Sequence, residues 1–178
     1  MAYPEQFLTY FDRLVDHEGG FSDDRRDPGN WTGGAVGLGV FKGTKYGIAA
    51  NTYPDLNIAA LSLEDAKAIY YRDWWLKIGA DHLPPAVAFQ MWQFAVNAGM
   101  GTARRGLQFA VGVAQDGKIG PITLAAVTTA DQNDVLMRFN AFVLAHYTSL
   151  STWPTYGKGW ANRVAQNLLY AAQDNDRP

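Results

Sequence analysis

A chain of 178 residues with 48% hydrophobic and 18% charged side chains carries enough apolar surface for a sizeable core, which excludes wholesale disorder. A formal net charge of −2 excludes the clustered basic surface of a nucleic-acid binder, so no nucleic-acid partner is expected. There is no cysteine, and the three histidines, His17, His82 and His146, stand apart without ligand spacing, so neither a metal nor a cofactor is expected.

The N-terminal stretch lacks the basic start and long apolar run of a signal peptide, and no segment is long and apolar enough to cross a bilayer. The expectation is a protein made in the cytoplasm without an integral membrane segment. Any export needs assistance.

In chain order, residues 5–18 read as a helix, with Phe7, Leu8, Phe11, Leu14 and Val15 recurring on one core-facing stripe. Residues 19–48 change character: glycines, Pro28 and short polar runs predict a loop with a small hairpin ending at "TKYGI" (44–48), where Tyr46 and Ile48 alternate. Ser62 opens the next helix with Asp65 completing a capping box, and Leu63, Ala66, Ile69, Tyr70 and Trp74 supply its periodic face. Trp74 and Trp75 are adjacent, so at most one of them faces the core. Pro84 and Pro85 break that helix and start another.

"AVAFQMWQFAVNAG" (86–99) is apolar almost all round and predicts the central buried helix, ended by Gly99 and Gly101. Residues 102–114 form a further helix. "DGKIGP" (116–121) is a turn of structural role, from which Pro121 starts a short helix to about Val127. Helices over 133–150 and 159–172 follow, and 173–178 is a frayed polar tail. The fold class expected is mainly α with one small β element after the first helix.

Glu18 lies four residues after Leu14 and three after Val15, so it shares their apolar face. Desolvation there favours the neutral carboxyl, and a carboxyl kept protonated near neutral pH can supply the proton that a leaving sugar oxygen needs. Gly19 and Gly20 remove side-chain bulk, so a polymer can come close. The competing reading is a helix-end cap or ion pair. Asp27 is the favoured second carboxylate, because Pro28 and Gly29 fix a turn beside it; an Asx turn explains the same pattern. Asp23 and Asp24, among Ser22, Arg25 and Arg26, read as a solvated run. Trp31, Tyr46, Trp92 and Asn97 are candidates for a glycan groove, with interior packing the competing reading for Trp92.

"HEGGF" (17–21), "DPGNWTGG" (27–34) and "TKYGI" (44–48) together resemble the signature of glycoside hydrolase family 108, phage-type N-acetylmuramidases of lysozyme-like helical fold. "FAVNAG" (94–99) with "LQFAVGVAQDGKIGPITLAAV" (107–127) is similar to the family's C-terminal portion, usually described as peptidoglycan-binding, and "GWANR" (159–163) resembles a stretch near the end of phage lysozymes. The resemblance implies one lysozyme-like domain over 1–178, with a catalytic portion over 1–90 and a helical portion over 91–172.

It further implies Glu18 as general acid, with Asp27 and Thr44 holding water or the oxocarbenium-like centre, and Arg163 orienting Glu18. The insert "NWTGGAVGLGVFKG" departs from the family's more compact run and makes Thr32 a rival to Thr44. Gln93 stands where relatives often carry an Asp, so it is expected to hydrogen-bond sugar rather than ionise.

The implied activity is cofactor-free hydrolysis of the β-1,4 bond between N-acetylmuramic acid and N-acetylglucosamine by a monomer acting on peptidoglycan glycan strands. A phage or prophage endolysin, reaching the wall by holin-type release, is the expected setting; a bacterial secretion-associated muramidase is the alternative. A lytic transglycosylase on the same bond and a non-catalytic wall-binding module remain rival activities. A carboxyl separation of about 5–5.5 Å goes with retention and about 6.5–9.5 Å with inversion, and both stay open.

Overall fold

The computed structural model describes residues 3–15 and 20–175. The chain forms two compact units, Met1–Arg72 and Asp73–Pro178. It is mainly helical, with one small antiparallel sheet.

In the first unit, α1 (Glu5–Val15) buries Phe7, Tyr10, Phe11 and Val15, while Leu8 and Leu14 sit at its half-buried flanks. The expected continuation of this helix over 16–18 lies outside the described residues. The buried rings interlock: Phe7 meets Tyr71 edge-on at 4.9 Å between centroids and Phe11 meets Tyr70 edge-on at 5.8 Å.

β1 (Phe21–Ser22), β2 (Thr44–Lys45) and β3 (Ile48–Ala49) form the sheet in that order, with Phe21 opposite Lys45 and Thr44 opposite Ala49. The hairpin anticipated at "TKYGI" is β2–β3. Its two-residue turn places Tyr46 at φ 52° and Gly47 at φ 74°, the double positive φ of a type I′ turn. Tyr46 is therefore the turn residue rather than a strand position alternating with Ile48, which is buried.

The long insert folds back on itself. Trp31 and Phe41 pair across it, Thr32 N donates to Val40 O at 3.0 Å and Gly33 N to Leu38 O at 3.1 Å. Its tip leaves Val36, Leu38 and Val40 exposed.

The capping box expected at Ser62 is present: Asp65 N donates to Ser62 Oγ at 3.1 Å, and Ser62 N to an Asp65 carboxylate oxygen at 2.9 Å. The helix it opens is not continuous. It runs as α2 (Leu63–Tyr70), a π-helical turn (Tyr71–Trp75) and α3 (Leu76–Ile78), ended by Gly79 in the left-handed region at φ 77°.

The second unit is built round α4 (Pro85–Ala98), which starts at Pro85 as expected and is buried without interruption from Ala86 to Ala95. Trp92 and Trp75 cross edge-on at 5.5 Å, so Trp75 is the core member of the tryptophan pair and Trp74 stays half-buried. α5 (Met100–Val111), α6 (Pro121–Thr129), α7 (Gln132–Ser149) and α8 (Trp153–Asn175) complete the unit, with α4 packed on α5, α7 and α8.

Buried Gln108 on α5 holds the 116–121 turn. Its Nε2 donates to an Asp116 carboxylate oxygen at 2.6 Å and its Oε1 accepts from Gly117 N at 2.8 Å. α8 begins six residues before the expected 159 and continues to Asn175, so residues 173–175 are helical.

Candidate active site

The anchor of the loop in the first unit is Asn30, whose side chain is 0% exposed. Its Nδ2 donates to Asp24 O at 2.9 Å, which turns Oδ1 towards Thr44. Thr44 Oγ1 donates there at 2.6 Å, while Asn30 O accepts from Lys42 N and Gly43 N at 3.0 and 3.1 Å. Asn30 N in turn donates to Asp27 O at 3.2 Å. One buried asparagine therefore ties Thr44, through its side chain, and Asp27, through its backbone N–H, into a single framework. With its proton committed to Asn30, the Thr44 hydroxyl offers a lone pair, so toward a water it acts as acceptor.

Asp27 caps the 3₁₀ turn Pro28–Asn30, its Oδ1 accepting from Gly29 N at 2.8 Å. The Asx turn weighed in the sequence is therefore present. Oδ2 has no hydrogen-bond partner among the described residues, and Asp27 is exposed, so one carboxylate oxygen is unengaged.

Asp24 is spent differently. Arg26 grips it through Nε and Nη2 at 2.9 and 2.8 Å, and this pairing holds its carboxyl down to about 2. An acid so firmly ionised cannot donate a proton near neutral pH.

Thr32 Oγ1 accepts from Val40 N at 2.8 Å and closes the insert, a structural task distinct from the one Thr44 performs. Trp31 is half-buried: its indole N–H donates to Arg25 O at 3.0 Å and its ring leans on Phe41 at 5.3 Å, so its N–H is committed to the loop. Tyr46 is half-buried at the hairpin turn, with Tyr70 Oη donating to its carbonyl at 3.1 Å and the Lys45 ammonium 5.4 Å from its ring centroid. Glu18, with His17 and Gly19, lies outside the described residues.

The second unit joins the other three candidates. Arg163 Nη1 donates to Asn97 Oδ1, Asn97 Nδ2 donates to Gln93 O at 2.7 Å, and Asn167 Nδ2 donates to Gln93 Oε1 at 3.0 Å. Gln90 Nε2 adds a bond to Asn167 O. Gln93 is only 4% exposed, so the structure puts it inside the α4–α8 packing rather than along a groove. Asn97 is exposed and Arg163 half-buried, and Arg163 has an asparagine partner here.

Among the described residues no group of three or more His, Cys, Asp or Glu could hold a metal ion, and no helix is long and apolar enough to cross a membrane. Sequence reasoning missed Asn30 and Asn167. A lone asparagine after Pro-Gly was the only signal for the first, and nothing local marked the second.

Comparison with curated proteins gives no match. Among solved structures, that of SagA from Brucella abortus is similar, with 30% sequence identity, coverage of 96% of each chain and a TM-score of 0.83. The mainly α, lysozyme-like fold implied by the sequence motifs holds. A family model, Glycosyl hydrolase 108, matches residues 11–99, which include the HEGG segment, the Asn30-centred loop, the hairpin and the whole of α4. With the motifs, the fold and both similarities in agreement, the chain belongs to glycosyl hydrolase family 108 and is a glycoside hydrolase.

Proposed function

We propose that this glycoside hydrolase is an endo-N-acetylmuramidase cleaving the β-1,4 bond between N-acetylmuramic acid and N-acetylglucosamine in peptidoglycan. The observation that carries the reading is the ordered set Glu18, Asp27 and Thr44 in a family 108 chain. Glu18 delivers a proton to the departing sugar oxygen. The unengaged Oδ2 of Asp27 faces the positive charge that develops at the anomeric carbon, and Thr44, as acceptor, orients the attacking water. Trp31 and Tyr46, both half-buried in the first unit, are assigned contacts with sugar.

Mass spectrometry of digested sacculi tests the reaction. Reducing N-acetylmuramic ends, each carrying one added water, are expected. Dominant 1,6-anhydro ends mean a lytic transglycosylase, and binding without cleavage means a wall-binding module.

The setting proposed is host lysis by a phage or prophage endolysin that reaches the wall through a holin or other assisted release. The likeness to a protein of Brucella abortus favours a bacterial over a phage origin, and the second setting is a bacterial muramidase that serves secretion rather than lysis. Expression with and without a holin decides: lysis only with the holin supports the first setting, and cells that stay intact with it support the second.

A further inference from the structure

Beside β1 and β2 the first unit opens a cavity of about 370 Å³ lined by Phe21, Phe41, Lys42, Asp55, Asn57 and Ala59. This volume is in the range of small-molecule sites, about 300–1,000 Å³. Lys42 and Asp55, opposite in charge, line the same cavity and make no ion pair with each other.

The Lys42 ammonium donates to Pro54 O at 2.6 Å and to Leu56 O at 3.2 Å, the carbonyls on either side of Asp55. It therefore holds Asp55 in place and keeps one N–H for a ligand. Asp55 is exposed and makes no hydrogen bond or ion pair among the described residues; exposed Asn57 makes no side-chain cap bond to the turn that follows it.

Apolar surface completes the site. Phe21 is 44% exposed, and its ring lies so close over Gly43 that a Cβ there would come within 2.7 Å of it. Gly43, at φ 79°, is required twice over: for its backbone and for the seat of this ring. Two lining residues are tied to Thr44 by sequence and strand pairing: Lys42 is two residues before it, and Phe21 pairs with Lys45, the residue after it.

We propose that this cavity binds the stem peptide carried by the muramic acid residues of the substrate. The inference rests on the muramidase reading and specifies what that enzyme selects. The glycan backbone offers hydroxyls and acetamides, whereas the attached peptides bring free carboxylates and, at a diamino acid, an ammonium. A cation and an anion held apart in one cavity match a ligand that carries both charges. Lys42 receives a peptide carboxylate, Asp55 the ammonium, and Asn57 a backbone amide, over the apolar floor of Phe21 and Phe41.

The test uses the full chain on two substrates: intact sacculi, and the same sacculi stripped of peptides by an amidase, followed by release of reducing ends. Wild-type protein is expected to prefer the peptide-bearing strands. Asp55→Asn should lower the ratio of kcat/KM on intact over stripped strands by about threefold to tenfold, chiefly through KM, the scale of a partly exposed charge-assisted contact. Asp55→Lys should lower it further, and a free tripeptide ending in a diamino acid should inhibit wild type more strongly than either variant. A ratio equal to that of wild type in both variants overturns the stem-peptide site and leaves the muramidase reading standing. Wild-type protein that releases reducing ends from neither substrate overturns the muramidase reading itself.

Discussion

Thr44 donates its hydroxyl proton to the fully buried Asn30 side chain at 2.6 Å, and through it one loop fixes both the hydroxyl and the Asp27 backbone. Thr44→Val keeps the shape but leaves Asn30 Oδ1 buried without a donor, a loss of about 1–3 kcal/mol. Thr44→Ser should restore the bond and most of the stability. Denaturant unfolding of the pair checks this, and activity that follows stability in both variants would confine Thr44 to a structural part.

Glu18→Gln removes the donatable proton while preserving shape. Turnover on sacculi should fall by about 10²–10⁴-fold, the usual worth of a positioned general acid, with the melting temperature retained. Asp27→Asn should cost less, because an amide oxygen can still accept from Gly29 N and keep the Asx turn; only the charge on the unengaged oxygen is lost. Undiminished turnover in Glu18→Gln overturns the acid assignment, and equal losses in the two variants raise Asp27 to a full catalytic partner.

What the sequence displayed and what it concealed divide by range of interaction. The Ser62–Asp65 capping box and the buried α4 were legible because they depend on neighbours a few residues apart or on an all-round apolar surface. The start of α8 is hidden because Pro154, Gly157 and Gly159 have low helix propensity. In the structure Gly157 is buried against the Trp153 ring, where a Cβ would come within 2.6 Å of it, so the glycine is there for packing.

Asn30 was illegible for a related reason: its partners Asp24 and Thr44 are 6 and 14 residues away, and only the closed loop brings them together. Gln93 read as a sugar contact because its amide was visible, while its partner Asn167, 74 residues on, was not.

Tyr46 occupies a left-handed position that bulky residues avoid, at a backbone cost of about 1 kcal/mol or more. Tyr46→Asn keeps the turn, because asparagine tolerates that region, and gives up the ring. Relief of strain should offset the lost ring contacts, so stability should fall by no more than about 0.5 kcal/mol while KM for sacculi rises several-fold. Thermal melting with steady-state kinetics separates the two effects. A large stability loss at unchanged KM would make the ring a packing element and remove it from the substrate contacts.

His146 stands edge-on to Phe94 with ring centroids 5.5 Å apart, and burial on α7 lowers its pKa below the ordinary 6.5. In the unfolded chain the imidazole takes up its proton as pH falls through 6.5, whereas in the fold it resists protonation until lower pH. The unfolded state therefore binds more protons in that window. The contribution of His146 to stability is whole above pH 6.5 and is lost as the pH falls through its lowered folded-state value. His146→Gln cannot titrate, and every other titratable group is common to both proteins. The drop in melting temperature between pH 7.5 and pH 5 should therefore be smaller in the variant than in wild type, and equal drops would show that burial at this position places no penalty on the imidazolium.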